Sequence, residues 1–221
     1  MASAEGTRKS YGKRIKTWVT TCGGVLSILS FICFFISFCT PNWIEQYDKY
    51  KTRKFQRMGL WEACFHGWNY YKDYLGKTYY GCWWVFSFEY RPIWTFLNPP
   101  WLLGIQVVMS LTFLLTIATL FFALMFICKA CPAKQHTRNC AILNMIIAMA
   151  TTICIIVFGL KTKVDRQWLP HPDSNFLSWS FGFAVLSAFF ATFAAMCFTS
   201  ETIRLIAEEK KPKPTVARQP F

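Results

Sequence analysis

At 221 residues the chain has room for one or two soluble domains, but 54% hydrophobic and 19% aromatic residues against 16% charged exclude an ordinary soluble fold. A net charge of +13 raises the question of nucleic acid, yet the basic residues fall in short segments between long apolar runs. Membrane topology explains that dispersal better, and no nucleic-acid partner is expected.

Four windows contain no Asp, Glu, Lys or Arg: 18–43, 92–128, 139–160 and 174–200. Each exceeds the ~20 residues a helix needs to cross the hydrocarbon core, and a helix satisfies its own backbone there. The expected fold is therefore a mainly α membrane protein, a bundle of four transmembrane helices. Basic residues are densest in segments 1–17, 129–138 and 199–221. The positive-inside rule puts these three in the cytoplasm, with loops 39–100 and 161–176 outside. The first apolar run is long enough to span and ends without a small-x-small cleavage pattern, so it reads as an uncleaved anchor.

In chain order, 1–17 is predicted to be a disordered basic tail and 18–38 the first span. The outer loop 39–100 is broken by Gly and Pro and rich in β-branched and aromatic residues. Segments 42–51, 55–65 and 78–89 read as strands of a small antiparallel sheet. Asn98-Pro99-Pro100 stops the loop and suits the first turn of a second span, 101–128. A ten-residue inner loop, 129–138, leads to the third span, 139–160. The second outer loop, 161–176, opens with an alternation over Lys161–Trp168 that fits one edge strand added to the sheet. Asp173-Ser174-Asn175 is placed to cap the fourth span, 177–198. In that span Ser187, Ala191 and Ala195 recur at four-residue spacing, a small-residue face for close packing within the bundle. The tail 199–221 is charged, Pro-punctuated and read as unstructured.

The cysteines sort by compartment. Cys64 and Cys82 lie well outside the membrane, in strand-like runs either side of a turn near Gly76; Cys39 at the membrane boundary is a rival partner. A bridge across such strands is worth roughly 2–4 kcal/mol. Cys22, Cys33 and Cys154 sit within spans and behave as small apolar residues. Cys128 and Cys131 form a C-x-x-C on the reducing side, which disfavours a thiol oxidoreductase and favours S-palmitoylation, with Cys140 and Cys197 as further acceptors. His66, His136 and His171 fall in three segments without metal spacing. No nucleophile elbow, zincin or P-loop pattern occurs, so neither enzyme nor cofactor is expected.

Trp43 after Pro41-Asn42, then Gly59-Leu60-Trp61-x-x-Cys64, then Cys82, in the large first outer loop of a four-span chain, resembles the claudin and peripheral myelin protein superfamily. Pro99-Pro100-Trp101-Leu102 and Ser178-Trp179-Ser180 look like arthropod claudin-like proteins of septate junctions. The resemblance implies a left-handed four-helix bundle whose extracellular sheet is anchored by Trp43 and Gly59-Leu60-Trp61 and bridged by Cys64–Cys82. It also implies oligomers with claudin-like proteins in cis and trans at lateral cell junctions of the plasma membrane, forming a paracellular barrier. An auxiliary subunit of a channel or receptor is the alternative role. Interfacial tryptophans ordinarily sit at headgroup level, which is the simple physical expectation for Trp43 and Trp61.

Three features depart from the family pattern. The seventeen residues between Cys64 and Cys82 make a longer hairpin, whose aromatic tip (Trp68, Tyr70, Tyr71 and Tyr74) is the candidate partner-contact surface. Gln106 stands near the place where the family has an arginine, and Arg91 lies upstream. The C-terminus Arg218-Gln219-Pro220-Phe221 is a poor ligand for a PDZ groove.

Overall fold

The computed structural model describes residues 2–47, 54–73, 75–127, 133–165, 168–170 and 172–210. Four long helices carry the membrane-crossing segments: α1 (Ala2–Cys39), α3 (Pro100–Ile127), α4 (Ala133–Val164) and α5 (Trp179–Glu209). Their apolar stretches, Trp18–Cys39, Pro100–Phe122, Lys134–Val164 and Trp179–Glu209, are each long enough to span a bilayer. Large side chains such as Val25, Phe35, Leu114, Ile153 and Phe189 point outward, as lipid-facing positions do. The helices extend past the predicted spans at several ends. α1 begins at Ala2, where the sequence predicts a disordered tail: no proline interrupts the segment before Trp18, and the helix carries Gly6 and Gly12 within it. α5 continues to Glu209, supported by the Arg204–Glu208 pair one turn apart and by a Lys134–Glu209 ion pair to α4.

α5 is the central helix, packed against both α1 and α4, while α3 packs on α4 and meets α1 over a sparser seam. The small-residue face does this work: Ala184, Ser187, Ala188, Ala191 and Ala195 are all buried. Ser187 Oγ donates to Ser30 O and Ser30 Oγ to Ser187 O, both at 3.0 Å, so α1 and α5 exchange hydrogen bonds where their backbones come closest. One turn back along α1, Ser27 donates to Asn144 of α4 at 3.3 Å. The α1–α3 seam is instead filled by rings, with Phe38 stacked on Phe113 at 5.0 Å.

Above the bundle stands a five-stranded antiparallel sheet in the order β4-β3-β2-β1-β5, formed by β1 (Ile44–Gln46), β2 (Lys54–Met58), β3 (Glu62–Asn69), β4 (Thr78–Trp84) and β5 (Asn175–Leu177). The predicted strand 55–65 is two strands, because Gly59-Leu60-Trp61 turns the chain between β2 and β3. The predicted strand 78–89 ends at Trp84. Val85 N donates to Trp61 O at 2.7 Å, which is the last pairing that β3's side can offer. A 3-10 segment, Phe88–Ile93, and the short α2 (Trp94–Leu97) lead from there into α3.

The second loop does supply an edge strand, but from Asn175–Leu177 rather than Lys161–Trp168. α4 persists to Val164 with Lys161 and Lys163 in its last turn, where cations suit the helix dipole. Asp173 and Ser174 belong to a 3-10 turn, so the N-cap of α5 is Ser178. Trading a small residue on α5 for a branched one should wedge the bundle. Ala191→Leu is expected to cost about 1–3 kcal/mol, read as a lowered unfolding temperature of the detergent-solubilised protein.

Candidate interaction surface: the sheet anchored on the bundle

The sheet is held by contacts that begin in the backbone. Trp43 N donates to Met58 O at 3.1 Å, Ser178 N to Trp43 O at 2.9 Å and Ser180 N to Asn42 O at 3.1 Å, so residues 42–43 join β2 to the start of α5. The Trp43 indole donates to Ser37 O at 2.8 Å, and its ring stands edge-on to Phe158 of α4 and Phe181 of α5, at 4.8 and 5.6 Å. Trp43 is fully buried. It is therefore a plug between three helices and the sheet, its ring covered by protein rather than displayed at the surface.

Gly59 is dictated by a close approach. A β-carbon there would meet Pro41 Cα and Thr40 O at 2.6 Å, both backbone atoms that have no rotamer to escape into. Leu60 is fully buried, and its carbonyl accepts from Gln106 Nε2 at 2.6 Å. Gln106 Oε1 in turn accepts from Asn98 Nδ2 at 3.2 Å. Gln106 thus clamps the β2–β3 turn to α3 and to the loop that starts it, with donor and acceptor both used in a buried setting. Trp61 is half-buried, edge-on to Phe38 at 5.2 Å, and does sit at the rim of the bundle.

Cys64 and Cys82 face each other across β3 and β4 and are disulfide-bonded, with Cα atoms 4.0 Å apart. Cys39 is exposed and free, which ends its claim as the rival partner. Closing an eighteen-residue separation is worth about 3 kcal/mol by chain entropy. Glu62, Cys64 and Cys82 place ligand-type atoms within 4.8 Å of one another, but both sulfurs are spent on the bridge. Tyr90 props the same strands from below, its hydroxyl donating to Ala63 O at 2.9 Å. Burial first, then the charges of Glu89 and Glu62, push its phenol well above the usual range and keep it a donor.

The hairpin tip divides in two. Trp68 is buried, stacked on Phe65 at 4.6 Å and on Phe96 at 5.3 Å, and half-buried Tyr70 lies 4.7 Å from Phe96. These two are the tip's footing, so Trp68 is corrected from contact surface to core. Tyr71, 84% exposed, is what the tip displays, beside exposed Leu75. Tyr74, Cys128, Cys131 and His171 lie outside the described residues. Cys140 is fully buried against His136, which withdraws it as an acylation site; Cys197 is half-buried.

One organising residue was missed in the sequence. The Asp73 carboxylate accepts from Leu75 N at 3.0 Å, Lys77 N at 3.3 Å and Tyr79 Oη at 2.9 Å. An acid three residues ahead of a glycine, Asp73 before Gly76, the latter at φ 57°, was the available signal. Gln106 offered a signal too, as a lone amide inside an apolar helix.

A four-span membrane bundle carrying a disulfide-pinned sheet, with Trp43 and Gly59-Leu60-Trp61 as the joint, defines the class: a tetraspan protein of the claudin type. The family model described as PMP-22/EMP/MP20/Claudin tight junction matches residues 28–200, and the chain belongs to that family. No curated protein matches the chain.

Gln106→Leu should leave Leu60 O and Asn98 unpaired and cost about 1–3 kcal/mol, measured as a lowered unfolding temperature with the disulfide intact. Asp73 gives a pH test. The Leu75 amide is the largest cause; together with the Tyr79 hydroxyl, the Lys77 amide and the Lys77 charge it outweighs the opposing desolvation and holds the carboxyl below its ordinary 3.8. A lowered folded-state pKa gives stability that is full above the ordinary value and lost as pH falls through the folded one. Deuterium uptake at Leu75 and Lys77 should therefore stay slow down to about pH 3.8 and rise only below it, while Asp73→Asn should raise it at neutral pH.

Proposed function

We propose that the protein is a junction component of the lateral plasma membrane that assembles side by side with claudin-like partners and meets others on the opposing cell, contributing to a paracellular barrier. Both termini are cytoplasmic in this reading, and the protein works by adhesion and assembly, not by catalysis. The observation that carries it is the fusion of the two loops: β5 pairs with β1 through Ile44↔Leu177, Glu45↔Phe176 and Gln46↔Asn175. One rigid body therefore presents the exposed end of the β3–β4 hairpin, with Tyr71 over its footing of Trp68 and Tyr70. A surface held this firmly loses little conformational entropy when a partner docks.

The test is imaging of the tagged protein in polarised epithelium beside a junction marker, with tracer flux measured before and after depletion. Enrichment at lateral contacts and increased leakage on depletion are expected. Diffuse membrane staining with unchanged flux, or co-purification with a channel and no enrichment at contacts, would favour an auxiliary subunit instead. Tyr71→Ala should reach the cell surface at wild-type level and lose several-fold in contact enrichment, because among the described residues the ring of Tyr71 meets half-buried Tyr70 and the Lys72 side chain and no part of the core.

A further inference from the structure

We propose that the cavity between the end of β4 and the start of α2 binds the phosphocholine headgroup of a membrane lipid in the leaflet on the loop side. This rests on the membrane architecture alone and does not depend on the junction role. The cavity is open, holds about 350 Å³ and is lined by Phe86, Ser87, Phe88, Arg91 and Trp94.

Its height in the molecule follows from ring contacts. Phe38, in the last turn of α1, touches Trp61 at 5.2 Å; Trp61 and Phe86 are 6.5 Å apart, as are Phe86 and Trp94. α2 ends at Leu97, just before α3 enters the membrane at Pro100. The cavity therefore opens where two spans leave the bilayer, at headgroup level.

The lining carries both halves of a zwitterion's complement. Arg91 is exposed and has no ion-pair or hydrogen-bond partner for its side chain among the described residues, since the neighbouring Glu89 is taken by Lys77 at 2.7 Å. A guanidinium free at headgroup level is matched to a phosphodiester. Ser87 lines the same cavity, and its hydroxyl is buried with no partner among the described residues, so rotation about its single side-chain torsion would offer a second donor to a phosphate oxygen. Phe86, Phe88 and Trp94 supply the aromatic faces that attract a quaternary ammonium. Phe88 is 83% exposed, so its ring is available to a ligand, not spent on the core. An aromatic belt alone accounts for exposed rings at this depth, but not for an unpaired arginine and an unsatisfied serine among the residues of one cavity.

The test uses the full-length protein in nanodiscs of equal parts phosphatidylcholine, phosphatidylethanolamine and phosphatidylglycerol, with retained lipid counted by native mass spectrometry. Phosphatidylcholine should be retained about five- to tenfold over both others. Phe88→Leu keeps the apolar area and should abolish the preference over phosphatidylethanolamine. Arg91→Gln should lower retention of every phospholipid. Soluble phosphocholine should compete only at concentrations far above those of the lipid, because it lacks the anchoring chains. Equal retention of the three lipids, or a preference unchanged in both variants, would overturn the proposal. So would a photo-crosslinker placed at position 88 that captures a second copy of the chain regardless of lipid composition.

Discussion

Everything above the membrane depends on how Trp43 is seated. Its backbone closes β1 onto β2 through Met58 and accepts from the first residue of the α5 cap, while its indole caps a carbonyl of the last turns of α1. The ring then fills the space between α4 and α5. One residue thus fixes the angle between the sheet and three helices. The cost of burying an indole N–H is met by the Ser37 carbonyl, whose helix position leaves a lone pair to share. Gly59 completes the joint from the other side, since only a residue without a side chain lets the β2–β3 turn press against Thr40 and Pro41.

The sequence makes the spans legible because lipid demands uncharged runs of known length, and no soluble alternative shares that pattern. The helix ends were less legible. Water and lipid both tolerate a helix once it has nucleated, so α1 and α5 run on through charged residues that hydropathy counts as tail. In the sheet, the disulfide and the strand alternation could be read, but Gly59-Leu60-Trp61 looked like strand interior because its turn exists only to approach another backbone. Long-range pairing explains β5 as well. Asn175–Leu177 has no strand signature of its own and becomes a strand because β1 offers it an edge.

The tip shows the same limit in a different form. A run of aromatics between two cysteines reads as one surface, yet the bulge at Gly67, φ 68°, turns Trp68 inward against Phe65 and leaves Tyr71 outward. Anchor and display are therefore interleaved within four residues. Asp73, Tyr79 and Tyr90 form the frame that separates them, linking the turn's amides to the underside of β3 by hydroxyl contacts. Variation at Tyr71 is little constrained by packing, while variation at Trp68 is bounded by it.

The uneven packing of the four helices has a mechanical side. α5 is joined to α1 by reciprocal serine contacts and packs on α1 and α4 through small side chains, whereas α1 and α3 meet mainly through stacked rings. Gln106 and Leu60, with Trp61 resting on Phe38, close that seam from the loop end as a buckle closes a strap. A lateral load on the sheet therefore enters the bundle through Gln106 and Trp61 at the α1–α3 seam, where the helices share fewer contacts than α5 shares with α1 or α4.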